Sequence, residues 1–567
     1  MIPNIRTTAA HIAALLVLAA LLCAGVQAAM AAENEMTIAV GTAGGIDAIK
    51  NFGTDPTLAE AQFPDIGGRQ DYQIYTHFSP LITLDGNSSI IPWMAESYEI
   101  SDDYKTITFH LRKGIKFADG TQLNASILKF NFDRLILFGY KKNFETAKYS
   151  VAVYYDHSEA LDDYTFKMHF NHSWQDMAFD LCHPRWYYFI SPLDVDPVWD
   201  ITGTLEPDRR YNGLGPYYVD ENESVPKEKV VLKKRNSWRD DLNFHKPKLD
   251  KITLVKIADP QVATMALETG EIDYICRYWN APIDALPNLE KNPKISIKTN
   301  PDYKMYFIMT SYWKEPFSGT DGTNLRKAIC YAMNRTEIAD GAFYGYALPA
   351  TDSMSISAQR PDAPKCCNKG YDYDIEKAKQ LLSEAGWMDT DGDGILDKNG
   401  KALKSLDLVI VSDLSWQKDT ALMVKDQLKK VGIDIEIRIV EYGEWAEILE
   451  KGDYDLSLIY NQGKGFPISF AIKLFNLRTL TGSYNYYSSQ DGTLETIVTN
   501  AQNSVNKEER DRYVCQACNI LYDEAGIIPL VYEVQYAVMS SEVKGFEFGP
   551  TMIIYPLDHV EECWIKE

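Results

Sequence analysis

The stretch IIPWMAESYEISDDYKTITFHLRKGIKFADGTQLNASILKFNFDRL, Ile90–Leu135, carries three signals in succession. From Tyr104 onward, apolar and polar side chains alternate through Ile107, Phe109 and Leu111, the period of a strand with one buried face. Asp119 and Gly120 then form a turn pair. Asn124 stands as an N-cap before Ile127, Phe130, Leu135 and Phe138, whose spacing predicts a helix over 124–138. A second strand with the same alternation is predicted over Tyr164–Phe170. Strand, turn, helix and strand in this order make an α/β unit.

The same grammar continues outward. Strands are predicted in Lys229–Trp238 and Lys248–Asp259, the second leading into a helix, Pro260–Gly270, that its glycine stops. Beyond Pro301 the pattern gives helices over Asn324–Asp340, Asp374–Trp387 and Lys418–Ile433, and strands over Leu406–Ser412 and Asp434–Tyr442. Strands alternating with helices of this length define an α/β protein. At 567 residues and 45% hydrophobic, the chain exceeds what a single core holds. Repeats and low-complexity linkers are absent from the sequence, so its domains should be interleaved by several chain crossings.

Composition narrows the function. The net charge of -23 excludes nucleic acid and anionic lipid as partners held by bulk attraction, because either needs a basic face. The N-terminus differs from all that follows: Arg6, an apolar run Ile12–Val26, then the small residues around Ala28 and Ala31. That is the layout of an export signal, residues 1–31, with lipidation of Cys23 as the alternative anchor, although Leu22 is a poor residue to precede it. The mature chain is expected outside the cytoplasm, periplasmic or at the cell surface. Cysteine usage leaves two readings open. Cys515 and Cys518 form a CxxC, which is either a redox or metal motif or two residues on one face of a helix; Cys366 and Cys367 are adjacent.

The order of segments resembles the family 5 extracellular solute-binding proteins, the peptide- and nickel-binding components of ABC importers. Ile90–Leu135 is similar to the family's signature block. Further landmarks follow in order: NGLGPYYV (Asn212–Val219), LKKRNSWRDD (Leu232–Asp241), ALETGEID (Ala266–Asp273), NLRKAICYAMNR (Asn324–Arg335), YDIEKAKQLLSEAGW (Tyr373–Trp387) and YDLSLI (Tyr454–Ile459). The resemblance implies a periplasmic-binding-protein-like clam-shell of three lobes. Lobe I would combine 32–78, 212–300 and 526–567, lobe II would be inserted as 79–211, and lobe III would span 301–525, with hinge crossings near Asn300–Tyr303 and Ala525–Pro529. It also implies a monomeric receptor with no required cofactor and no catalysis, delivering a small polar ligand to permease and ATPase subunits.

The alternative is a secreted hydrolase or a non-transport sensor on the same fold. GxSxG and HExxH are both missing, and His169 with His172 forms an isolated HFNH pair short of a third ligand for catalytic zinc. For the receptor, the resemblance directs attention to two segments. In ICRYWN, Tyr278 and Trp279 would floor the cleft. In the segment starting at Tyr460, Asn461, Gln462, Lys464, Arg478, Tyr484 and Tyr486, with Tyr487, would meet a carboxylate and stack on a planar group. Peptide-binding relatives keep an aspartate before a proline at the place where this chain has Phe466 and Pro467, and 301–525 contains no histidine.

One motif stands apart. In DTDGDGILD, Asp389, Asp391, Asp393 and Asp397 fall at positions 1, 3, 5 and 9 of a calcium loop, with Gly394 at the sharp turn and the Ile395 carbonyl at position 7. Gly400 occupies position 12, where an EF-hand has glutamate, so the expectation is a structural calcium site or an acidic turn.

Overall fold

The computed structural model describes residues 34–40, 79–85, 89–117, 119–136, 154–182, 189–200, 204–205, 213–220, 222–225, 228–235, 247–276, 281–350, 364, 366, 369–412, 415–460, 487, 492–549 and 563–565.

The opening stretch folds as its pattern predicts, with Phe138 at the end of the expected helix outside the described residues. Thr106–Leu111 is a strand whose Ile107, Phe109 and Leu111 are buried, and Thr165–Phe170 pairs with it antiparallel, burying Phe166, Met168 and Phe170. Gly120 takes a positive φ of 88° in the turn, which favours glycine. The helix Ala125–Leu135 starts where the Asn124 side chain accepts the Ile127 N–H. Together with Ala95–Ile100 and Tyr155–Asp162 these strands form a four-stranded antiparallel sheet. The helix covers one face, closing a core of its own around Phe109, Phe132, Phe166 and Phe189.

A second, 11-stranded sheet runs through the rest of the chain. At one end Glu35–Val40 lies parallel to both Lys251–Lys256 and Tyr274–Ile275. At the other, Leu406–Val411 lies parallel to both Ile435–Val440 and Leu456–Tyr460. Two long antiparallel strands, Ile295–Thr310 and Ile528–Ser540, join the ends. Their alternate residues face different cores. Tyr306 and Ile308 pack with the helices Gly319–Ala332 and Ile375–Glu384, whereas Met305, Phe307 and Met309 pack with Trp445, Val514 and Leu521. Nearer the first end, Ala537 and Met539 join a core with Ile38 and Leu254, and Val538 joins another with Leu267 and Leu286. Apolar residues on both faces are what a sheet covered on both sides requires.

The expected single helix Asn324–Asp340 is two, Gly319–Ala332 and Arg335–Gly341. Met333 leaves the helical region, and Asn334 starts the second helix by accepting the Glu337 N–H while its own N–H bonds Gln427. CxxC lies on the helix Lys507–Asp523, but Cys515 bridges Cys366 and Cys518 is disulfide-bonded too, so both are structural cross-links.

Candidate functional site

Strand direction locates the cleft. Tyr274–Ile275 runs antiparallel to Ile528–Ser540 and ends with Ile275 opposite Val538. Leu456–Tyr460 runs antiparallel to Ile295–Thr310 and ends with Tyr460 opposite Tyr306, which in turn faces Val531. The carboxyl ends of the two sets of parallel strands therefore point toward one another across the two crossing strands. Ligands of open α/β sheets bind beyond carboxyl ends. The chain leaves these ends into 41–78, 277–280 and 461–486, all outside the described residues. Every cleft residue expected from the sequence lies there: Tyr278, Trp279, Asn461, Gln462, Lys464, Phe466, Arg478, Tyr484 and Tyr486.

Tyr487 is described, and its role differs from stacking on a ligand. It is buried against Tyr312 at 4.7 Å, donates its hydroxyl to Glu524 and sits under the Arg326 guanidinium, so it is a core residue.

The crossing itself carries groups that motif reading missed. Between Pro301 and Met305 the register of the crossing strands slips, and the residues opposite are Val534 and Tyr532. Lys304 sits in this slip, its Nζ 3.3 Å from Glu533 and 4.3 Å above the Tyr460 ring. The Tyr306 hydroxyl donates to the same Glu533 carboxylate at 2.9 Å. Burial, reinforced by the Glu533 charge, pushes the Tyr306 phenol well above its ordinary value, so it stays a donor. Tyr306 also meets Trp416, Phe343 and Tyr460, which makes an aromatic block beside the ion pair. The available signal was a lysine and a glutamate each followed by largely apolar strand residues, Met305–Met309 after Lys304 and Ala537–Met539 beyond Glu533. A second set of contacts ties the sequence around the small sheet to the C-terminal helices: Arg510 donates to Gln175 at 3.1 Å, and His172 lies 3.3 Å from Asn503. His172 also stacks on Tyr154, which leaves it no part in a pair with His169.

The acidic loop places Asp389, Asp391 and Asp397 with one oxygen each within 4.8 Å of one another. Asp393 is not in this group; it accepts the Ile395 N–H at 2.7 Å. Asp389 accepts from Gly392 and Gly394, and Asp397 accepts from the Thr390 N–H and hydroxyl. The Thr390 N–H bond is the main reason the Asp397 carboxyl is held below the usual range. After the loop, Asn399 and Gly400 both take positive φ in a two-residue hairpin between Asp397–Lys398 and Lys401–Ala402. The hairpin replaces the second helix of an EF-hand.

Opposed strand ends across a two-strand crossing, with an additional sheet domain inserted early in the chain, define a hinged solute-binding protein. The family model of the bacterial extracellular solute-binding proteins, family 5 (middle), matches residues 89–479, and the chain belongs to that family. Among curated relatives, it is 25% identical over 497 residues to the nickel-binding periplasmic protein of Escherichia coli strain K12, covering 85% of this chain and 89% of that one. It is 28% identical over 532 residues to the glutathione-binding protein GsiB of the same strain, covering 92% and 93%. Among solved structures, NikA of Brucella suis in complex with Fe(III)-EDTA superposes with a TM-score of 0.77 at 21% identity, over 94% of this chain and all of the other. DppA of Helicobacter pylori in complex with the peptide STSA gives 0.67 at 20%, over 94% and 99%. These structures share the fold. The chain is a substrate-binding protein of the type that serves ABC importers.

Proposed function

We propose that the chain is the extracytoplasmic receptor of an ABC importer, a monomer that closes on a small polar ligand and presents it to a permease driven by ATPase subunits, without itself catalysing a reaction. The opposed strand ends across the crossing carry this reading. The lobes are assigned as 32–78 with 212–300 and 526–567, 79–211, and 301–525. Residues 1–31 are the export signal, and the Cys366–Cys515 bridge suits the oxidising compartment it leads to.

The ligand presents an anionic or neutral polar end to the third lobe. Phe466 stands where peptide binders keep an aspartate, and Lys464 and Arg478 lie nearby in sequence. The nearest acids upstream, Asp453 and Asp455, are engaged elsewhere. Asp455 pairs with Lys314 and accepts the Asp407 N–H, and Asp453 faces Arg438. A buried ammonium without a carboxylate partner costs several kcal/mol. Glutathione, named for the 28%-identical relative, carries two carboxylates and is the first compound to try. In calorimetry with glutathione, trialanine and a nickel–histidine chelate, glutathione binds and tolerates acetylation of its amine, whereas trialanine binds at least tenfold more weakly. Micromolar binding of trialanine, lost on blocking its amine, sinks the charge assignment. Hydrolysis of any panel member without saturable binding sinks the receptor reading.

The loop Asp389–Asp397 is assigned a structural calcium ion held by Asp389, Asp391 and Asp397, with Asp393 shaping the loop. Calcium raises the melting temperature over that in chelator, and Asp391→Ala abolishes the increment while Asp393→Ala retains part of it. Equal melting in calcium and chelator refutes the assignment.

A further inference from the structure

His157, Glu159 and His169 come together on the open face of the small four-stranded sheet, in the strands Tyr155–Asp162 and Thr165–Phe170. The two histidines are direct cross-strand partners, with rings stacked at 4.3 Å and 5° from parallel. Glu159, two residues along from His157, points to the same side of the pleat. Its Oε1 lies 3.2 Å from His157 Nε2 and 3.1 Å from His169 Nε2. Ligands about 2.0–2.2 Å from a tetrahedral ion are about 3.3–3.5 Å from one another. Both carboxylate–imidazole distances already stand close to that spacing, and the ligand atoms of the three residues lie within 4.8 Å of one another.

Two further observations point to a ligand. His169 Nε2 is shielded from solvent, and despite the short distance to Glu159 it has no hydrogen-bond partner in proper geometry among the described residues. An Nε2 bound to a cation needs none. Asp156 Oδ2 lies 2.9 Å from His157 Nδ1, the outer carboxylate that fixes a metal-binding imidazole so that its other nitrogen faces the ion. The side chains are 51%, 45% and 23% exposed for His157, Glu159 and His169, which leaves the cluster open to solvent.

We propose that His157, Glu159 and His169 bind a late first-row divalent cation, of the zinc, nickel and copper class, through two imidazole Nε2 atoms and one carboxylate oxygen. Imidazole with carboxylate selects this class over calcium and magnesium, whose shells are all oxygen. Three protein ligands leave a fourth position for water or for a donor atom of a small chelate. Lys167, opposite Glu159 in the register, places a positive charge alongside and limits the affinity.

The test is zinc titration of the full mature chain without an affinity tag. One zinc per chain binds in excess over the calcium loop, so the titration is run with calcium present. His157→Ala, which changes an exposed residue, weakens binding at least tenfold, as do Glu159→Gln and His169→Ala. Lys167→Gln tightens it, and His172→Ala leaves it unchanged. Copper outcompetes nickel, and X-ray absorption shows two imidazoles in the shell. Zinc binding that is unaltered in His157→Ala and Glu159→Gln, or no binding below millimolar zinc, overturns the proposal. Should His169→Ala lower stability in the absence of metal, the His157 and Glu159 variants decide alone.

Discussion

The family landmarks are recognisable because single residues in them perform backbone work that other residues cannot. Arg335, the last residue of NLRKAICYAMNR, is buried with no carboxylate hydrogen-bonded to it among the described residues. It donates instead to the carbonyls of Pro529, Met333, Tyr371 and Cys330. Arg326 in the same landmark donates to the carbonyls of Phe317, Glu524 and Ala525. Both guanidiniums thus cap chain ends around the start of the second crossing strand, a task that five donors in a fixed fork perform and a lysine cannot. Asp273, the last residue of ALETGEID, accepts the Thr37 N–H at 2.7 Å and so ties the first strand of the sheet. Burial raises its pKa above the ordinary value, opposed by that N–H bond and reinforced by Glu542. A carboxyl with a raised folded pKa favours the native state most when protonated, and that contribution is lost as the pH rises through the folded pKa. Asp273→Asn keeps an oxygen for Thr37 and removes the buried charge. It should therefore melt at a higher temperature than the parent at pH 7, with the difference shrinking as the pH falls toward 4. A difference constant with pH, or a variant less stable at pH 7, refutes the account.

At the scale of elements, local pattern was legible and long-range pairing was not. The alternation Ile107, Phe109, Leu111 and the Asn124 cap specified a strand and a helix because both signals are contained in a few consecutive residues. The split at Asn334 was hidden because helical spacing runs through it, and the interruption depends on Gln427, distant in sequence. The HFNH motif, read in the sequence as an isolated pair, hid a cross-strand neighbour for the same reason. His169 finds its partner across the strand, at His157, and strand register is set by the packed face, not by proximity in sequence. Most of the fold could be read, whereas the cleft residues expected from the sequence lie outside the described residues. Cysteine pairing was equally beyond local pattern: Cys515 and Cys518 share a helix, yet Cys515 reaches back 149 residues to Cys366. This bridge closes a long loop in the unfolded chain, worth about 2–4 kcal/mol. Cys366→Ser with Cys515→Ser should therefore lower the unfolding free energy by up to that amount, read as a lower denaturant midpoint. The helix content should be unchanged, since Val514, Ala517 and Leu521 still pack the helix into its core. An unchanged midpoint would mean that this bridge adds nothing beyond the cross-link at Cys518.

For the whole molecule, what matters is how two strands carry a hinge. Ile295–Thr310 and Ile528–Ser540 are continuous, so the halves of the large sheet can move only by bending them, and bending is easiest where the ladder is irregular. The ladder is irregular at two adjoining places, between Pro301 and Met305 and between Tyr306 and Phe307. Lys304 and Glu533 join the two strands there by their side chains, only 13% and 21% exposed. Partial burial makes the pair sensitive to loss of one member but not to replacement of both, because a single change leaves a charge without its partner. Lys304→Met should cost about 1–2 kcal/mol in stability, since Glu533 then keeps, among the described residues, the Tyr306 hydroxyl alone. Glu533→Gln should cost a comparable amount, because Lys304 then loses the carboxylate it pairs with at 3.3 Å. The double variant should recover most of the loss, with neutral groups of similar size in both places. If the pair only holds the strands together, ligand affinity follows the same order as stability. If it also sets the resting angle of the hinge, the double variant regains stability but not affinity, and small-angle scattering shows the shape of its ligand-free form displaced toward that of the closed one. Single costs that simply add in the double variant would show the two charges to be uncoupled, and the hinge would then rest on strand geometry alone.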